Sequence, residues 1–123
     1  MNVKEILHAD LESIEVGGKL VPVFLQGTID YTDAFPETFI TFFTDDTDDR
    51  SFYDDETKSV DWSFSVILYS SDPSVVNEAP DTIIDALEYD GFKPQGKGRD
   101  IPSGVPTHTG WAMDFIYTEY LNN

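Results

Sequence analysis

The clearest pattern in the chain is an alternation of apolar and polar residues over residues 58–70. A two-residue period predicts a half-buried strand, because successive side chains of a strand point to opposite faces of a sheet. One face of this strand carries Val60, Trp62, Phe64, Val66 and Leu68. Residues 109–121 alternate in the same way and predict the strand that closes the sheet. Residues 38–44 carry apolar side chains on both faces, which is typical of a strand buried on both sides or covered by another subunit.

Two further segments repeat apolar residues at steps of three and four, the period of an amphipathic helix. The first covers about residues 2–15, with Asn2 as its N-cap and the Gly17-Gly18 pair as its end. The second follows Asp72-Pro73, a typical helix start, and runs to Gly91, which suits the left-handed position after a helix. Both helices need an apolar sheet to cover.

Prolines and glycines mark the interruptions of these patterns. Pro80 lies within the second helical segment, and because proline disrupts helix interiors we expect the main helix to begin there. Pro22 lacks the N–H of a central strand, so residues 20–26 predict an edge strand or the start of a strand. Residues 93–108 contain three prolines and three glycines and predict a long loop, with room for a short strand near residues 92–95.

These elements predict an α+β fold: a mostly antiparallel sheet of four to five strands with two helices packed on one face. The expected order is α-β-β-β-α-(β)-β. The 123 residues are enough to bury one core, and no internal repeat or second core is visible. We therefore expect residues 1–123 to form a single domain.

Charge changes this picture more than any motif does. The chain has 24 acidic and 7 basic residues, a net charge of −17 at pH 7. Such a field repels phosphate backbones and anionic membranes, so neither specific nucleic-acid binding nor membrane binding is expected. Two relationships with DNA remain open: lining a passage through which DNA slides, or imitating DNA. No apolar run reaches the length of a membrane span, and the absence of cysteine excludes thiolate metal sites.

The acidic residues concentrate in a predicted loop, residues 45–56. Seven acids lie there beside Arg50: Asp45, Asp46, Asp48, Asp49, Asp54, Asp55 and Glu56. Ca²⁺ and Mg²⁺ prefer several carboxylate oxygens, and Asp45, Asp49 and Glu56 match positions 1, 5 and 12 of a calcium-binding loop. Arg50 stands where that loop requires glycine, and both flanks are predicted strands. A solvated tip, a partner surface and an ion site all remain open, and we expect no specific metal site.

The basic residues are also clustered in one segment of the sequence. Three of the seven lie in the later predicted loop: Lys93, Lys97 and Arg99. They can pair with acidic surface on this chain or on a neighbouring copy, and acidic and basic loops on different edges would suit head-to-tail, ring-forming contacts. No nucleophile or acid/base pair can be assembled from the sequence, so we expect neither catalytic residues nor a cofactor, and no enzyme.

The element order and three phrases resemble small tail-terminator or tail-completion proteins of long-tailed bacteriophages. The phrases are PVFLQG at residues 22–27, GF at residues 91–92 and HTGWAMDFIYTEY at residues 108–120. The resemblance implies a structural virion assembly protein that forms a ring, commonly a hexamer, which caps the tail tube and joins it to the head connector. It implies a location in the virion tail or neck after assembly in the host cytoplasm.

The resemblance also implies the partners: further copies of the chain, the tail-tube protein and the head-connector protein, with DNA passing through the lumen. It assigns residues 45–56 to the lumen or tube and residues 93–108 to intersubunit or connector contacts. Charge alone supports an alternative, an acidic DNA-mimicking inhibitor of a DNA-binding host protein. A divalent-cation-binding module is a further alternative.

Overall fold

The computed structural model of the protein describes the backbone of residues 2–25, 36–53, 56–104 and 106–121, and their side chains except at residues 49–53 and 56–58. Within these residues there are two helices and eight strands. They are α1 (Val3–Glu12), β1 (Glu15–Val16), β2 (Lys19–Leu20), β3 (Val23–Leu25), β4 (Thr38–Tyr53), β5 (Glu56–Ser70), α2 (Pro73–Tyr89), β6 (Lys93–Pro94), β7 (Arg99–Ile101) and β8 (Thr109–Tyr120). No helix of this part of the chain is long and apolar enough to cross a membrane.

The main sheet has six strands in the order β3-β4-β5-β8-β6, with β7 also paired to β8. All its pairings are antiparallel except that of β3 with β4. The predicted α+β class with a mostly antiparallel sheet is confirmed. Among the described residues β3 lies at an edge of the sheet, directly after Pro22. The sheet exceeds the expected four to five strands because β6 and β7 are too short to leave a periodic signal, and β1 and β2 form a separate hairpin.

The first helix begins as predicted and ends earlier. The side chain of Asn2 accepts a hydrogen bond from the N–H of Glu5 at 2.9 Å, which caps the helix. The helix stops at Glu12, so its predicted end at Gly17-Gly18 is wrong. Those glycines instead form the two-residue turn between β1 and β2, with φ of 63° and 85°. A type I′ hairpin turn needs positive φ at both central positions, which explains the pair.

The second helix is continuous through Pro80, so the predicted start at that residue is wrong. A proline in a helix interior costs about 3 kcal/mol through the lost hydrogen bond and crowding. Burial on both sides of the interruption offsets this cost, since Val76 and Ala79 before Pro80 and Ile83 after it are all buried. Tertiary packing therefore overrides the local preference for a break.

The end of the second helix follows the prediction for Gly91, which has φ of 99°. Its N–H donates to the carbonyl of Glu88, and the N–H of Phe92 donates back to the carbonyl of Leu87 at 2.9 Å. This is the Schellman arrangement, which satisfies two carbonyls that the helix leaves open. Phe92 is fully buried, so the same turn fixes the chain against the core before β6 begins.

The hydrophobic core lies between the two helices and one face of the sheet. Every second residue of the long strands contributes to it, as the alternation predicted. Its fully buried members from the sheet include Ile40, Phe64, Val66 and Leu68, and those from the helices include Leu7, Leu11, Ile83 and Leu87. Both helices therefore cover the same face, and the other face is the outer face of the sheet.

The outer face is itself buried near the start of β4. Phe39 is only 3% exposed; its ring stacks on Tyr69 with centroids 5.2 Å apart and lies 5.9 Å from the ring of His108. Ile67 and Ala112, on neighbouring strands of this face, are also buried. The apolar residues on both faces of β4 are thus explained here by burial within one chain, without a second subunit.

Two carboxyl groups meet between the helices. Burial, followed by the charge of the neighbouring Asp90 at the end of α2, raises the pKa of Asp10 in α1 to about 6 from its ordinary value of 3.8. The Oδ2 atom of Asp10 is buried and has no hydrogen-bond partner among the described residues. Ionisation of Asp10 at neutral pH therefore opposes helix packing.

We expect Asp10→Asn to stabilise the protein near pH 7.5 and to have little effect near pH 4. The pKa of Asp10 is about 6 in the folded protein and 3.8 in the unfolded chain. The stability that protonated Asp10 contributes is therefore complete below pH 3.8 and is lost as the pH rises through 6. The full shift corresponds to about 3 kcal/mol, and water around exposed Asp90 reduces it to about 1–2 kcal/mol. Urea unfolding of both proteins across this pH range measures the difference.

The matched control is Asp85→Asn, which removes the same charge from an exposed position of α2. Equal stabilisation by the two variants near pH 7.5 would mean that general relief of negative charge, and not the Asp10–Asp90 pair, is responsible.

Candidate interaction site at the two edges of the sheet

The acidic segment between the central strands is mostly strand, so the predicted loop at residues 45–56 is wrong. β4 and β5 remain paired from Asp46 opposite Ser63 to Tyr53 opposite Glu56. Two of the predicted loop residues, Asp54 and Asp55, lie outside the described residues. A loop was predicted because aspartate is unfavourable in strands. Pairing of these residues with β5 overrides that preference. Residues 45–53 and 56–63 together are called the acidic ribbon below.

A β-bulge opens the ribbon at Asp45. Thr44 is opposite Phe64 and Asp46 is opposite Ser63, so Asp45 has no residue opposite it on β5. A bulge inserts one residue and redirects the side chains that follow. Asp45 is thereby directed to the outer face, where its carboxylate contacts the hydroxyl of Ser65 in β5.

A hydrogen-bonded network on the outer face joins this bulge to the far edge of the sheet. The buried hydroxyl of Ser65 lies 2.7 Å from Asp45 Oδ2 and 3.0 Å from Asp114 Oδ1. A hydroxyl carries one proton and donates to one carboxylate at a time. Arg99 Nη1 donates to Asp114 Oδ2 at 2.7 Å and supplies positive charge beside the two acids. The network links β4, β5, β8 and β7.

Further acids of the ribbon share the outer face. Asp46 and Asp48 are two residues apart on β4, so their side chains point the same way at a spacing of about 6–7 Å. Asp61 on β5 is directly opposite Asp48, and Thr118 donates to its Oδ1 atom at 2.7 Å. The outer face of the ribbon is consequently a row of carboxylates and hydroxyls.

The candidate metal ligands are not brought together as a calcium loop would require. Asp45 and Asp49 are four residues apart in an extended strand, about 13 Å along its axis, which is too far for both to bind one ion. Glu56 is opposite Tyr53 near the end of the ribbon. Among residues with described side chains, no group of three His, Asp or Glu could hold a metal ion.

The three candidate basic residues lie at the opposite edge of the sheet. Lys93 is in β6, Arg99 is in β7 and Lys97 lies between them, so the predicted loop at residues 93–108 contains two short strands. The strand near residues 92–95 is therefore confirmed. Lys97 Nζ is 3.8 Å from Asp81 Oδ1 of α2, and both side chains are exposed. Residues Lys93, Lys97 and Arg99 with their strands are called the basic edge.

Trp111 holds the basic edge against the sheet, a role that sequence alone did not reveal. Its indole N–H donates to the carbonyl of Lys97 at 2.9 Å. Gly98 then passes so close to β8 that a Cβ there would overlap with Trp111 Nε1 and the carbonyl of Ala112. Gly98, in the Gly-Lys-Gly-Arg (GKGR) segment at residues 96–99, was the available signal, because glycine often marks a close approach of backbone segments.

The side chain of His108 makes two hydrogen bonds and a ring contact near the ends of two strands. Its Nε2 donates to the carbonyl of Pro36 at 2.8 Å, and the hydroxyl of Thr107 lies 2.9 Å from Nδ1. Together with the ring contact to Phe39, these bonds attach the start of β8 to the start of β4. The arrangement orders two strand ends.

Opposite charges thus lie on opposite sides of one sheet: the acidic ribbon is formed by β4 and β5, and the basic edge by β6 and β7, which pair with the side of β8 that faces away from β5. The chain matches no protein-family model and no curated protein sequence.

We expect Gly98→Ala to detach the basic edge and to cost about 2 kcal/mol more than Gly96→Ala, because only the first introduces a steric overlap. Gly98 and Gly96 both have positive φ, 110° and 83°, so in both variants the alanine backbone is strained by about 1 kcal/mol. Urea unfolding gives the two free energies. Limited proteolysis after Lys97 should be faster only in Gly98→Ala, and equal costs for the two variants would contradict the close approach to Trp111.

Proposed function

We propose that the protein is a structural virion assembly protein that forms a ring on the end of a bacteriophage tail tube and joins the tube to the head connector. The supporting observation is the separation of charge between the two edges of the sheet. A chain with two different, complementary surfaces associates head to tail, and such a contact closes into a ring when the rotation between copies permits. The acidic ribbon of one copy would meet the basic edge of the next.

The edge of β4 beyond β3 supports this use of the ribbon. β3 pairs with β4 only as far as Phe42, and beyond it no strand among the described residues pairs with that side of β4. An unpaired strand edge is a ready contact surface unless charge protects it. The aspartates protect this edge against an acidic partner and favour a basic one.

Net charge also suits a conduit for DNA. Six copies at −17 carry −102 in all, so a hexameric ring would present a strongly negative surface. Such a surface does not hold a passing phosphate backbone. The protein would then stop tube growth and leave the DNA path free, as a component of the tail or neck of the virion.

A reciprocal charge exchange tests the proposed contact. We expect Lys93→Glu combined with Lys97→Glu to weaken assembly at least about tenfold, since acidic surface would then face acidic surface. Adding Asp46→Lys and Asp48→Lys to the same chain should restore it. Native mass spectrometry and sedimentation over a range of concentrations, with and without the tail-tube protein, give the copy number and affinity, and electron microscopy shows whether tube ends are capped.

The matched control is Lys4→Glu with Lys19→Glu, which changes the net charge equally at exposed positions of α1 and β2, away from both edges. Equal weakening by the control would show that only net charge matters. A wild-type protein that stays monomeric and neither binds nor caps tubes would refute the proposal.

A second candidate is a DNA-mimicking inhibitor of a DNA-binding host protein, favoured by the row of Asp46, Asp48 and Asp61 on one face. It predicts a monomer that binds one host DNA-binding enzyme, is displaced by excess duplex DNA and loses binding in Asp46→Asn with Asp48→Asn. Ring formation with tube capping, in the absence of such an enzyme complex, would decide against it.

A further inference from the structure

A cavity of about 140 Å³ lies between the second helix and the basic edge. Its walls are formed by Val76, Asn77, Pro80, Asp81, Lys97 and Trp111. The helix residues among them are spaced by one, three and one positions, which places them on one side of the helix. One side of α2 thus forms one wall of the cavity. Lys97, in the turn at residues 96–99, and Trp111 of β8 form the other wall.

Pro80 and Asp81 lie next to each other on the helix wall of the cavity. The Asp81 carboxylate, 73% exposed, adds charged acceptors at the rim. This wall is therefore suited to a ligand that donates several hydrogen bonds and carries positive charge.

Trp111 supplies an aromatic surface. Its N–H is already used in the bond to the Lys97 carbonyl, so what it offers to the cavity is the carbon surface of the indole. Tryptophan is the strongest of the aromatic residues in attracting cations. An aromatic ring beside a carboxylate is a common setting for a guanidinium or ammonium group.

The site already holds a cation from its own chain. Lys97 Nζ lies 3.8 Å from Asp81 Oδ1, while the Lys97 side chain is 86% exposed. Exposed pairs at this separation contribute little to stability. A better-fitting cation can replace the lysine without large cost, and the lysine acts as a weak internal competitor.

We propose that this cavity binds an arginine side chain presented by a partner protein, with the guanidinium against Trp111 and paired with Asp81 in place of Lys97. Arginine fits better than lysine because its planar group stacks on an indole and donates to a carboxylate through two N–H groups. The net charge of −17 favours basic partners over acidic ones. This site does not depend on ring formation, and either proposal can fail alone.

The direct test is an NMR titration of the full chain with N-acetyl-arginine amide. Only Trp62 and Trp111 give indole N–H signals, and Trp62→Phe assigns them. The expected result is a saturable shift of the Trp111 signal that is several-fold weaker with N-acetyl-lysine amide and absent with the neutral citrulline analogue. No shift at Trp111, or equal shifts with arginine and citrulline, would overturn the proposal.

Two pairs of variants separate the site from general electrostatics. Asp81→Asn should weaken arginine binding at least about fivefold, whereas Asp85→Asn, one turn further along α2 with the same change in charge, should change it less than about twofold. Lys97→Ala should strengthen binding by about threefold because the competitor is gone, whereas Lys93→Ala should have little effect. All four residues are exposed, so the variants should fold. If the two variants of either pair changed arginine binding equally, the result would contradict binding of arginine at this cavity.

Discussion

The structure depends on the register of β5 between β4 and β8. Strand β5 is paired on both sides over residues 59–70, and its residues Phe64, Val66 and Leu68 are fully buried beneath the helices. Because side chains alternate along a strand, a shift by one residue would turn all three to the outer face. Burial of this face therefore fixes the register of both neighbouring strands. It also fixes the face on which each carboxylate of those strands lies.

The register has an electrostatic consequence for the acidic ribbon. With Thr44 opposite Phe64, the bulge that follows directs Asp45 to the outer face, where Ser65 and Asp114 lie. Repulsion among these carboxylates is moderate because water screens exposed charges, and Arg99 lies within hydrogen-bonding distance of Asp114. The fold can hold a line of aspartates in extended strands since the apolar half of the same sheet supplies the stabilisation that aspartate does not.

The parts of the fold that could be predicted are those with a local signal. The alternation of β5 and β8, the Asn2 cap and the Gly91 turn each follow from neighbouring residues alone. The parts that could not be predicted depend on distant contacts. Pro80 stays helical because of the sheet beneath it, and the acidic segment becomes strand because β5 pairs with it. For the same reason, composition located the two charged surfaces but could not place them at opposite edges, which depends on strand order.

The position of the charges also governs how two copies can approach. At physiological salt, screening limits charge interactions to about 8 Å, so chains of −17 repel each other only when they are close. At that range the local distribution matters more than the total. In the proposed head-to-tail contact, the ribbon of one copy would face the basic edge of the next and bring Asp46 and Asp48 towards Lys93 and Lys97. Contacts that bring acidic surface against acidic surface would be disfavoured by repulsion, so the proposed contact is the one that the distribution of charge favours.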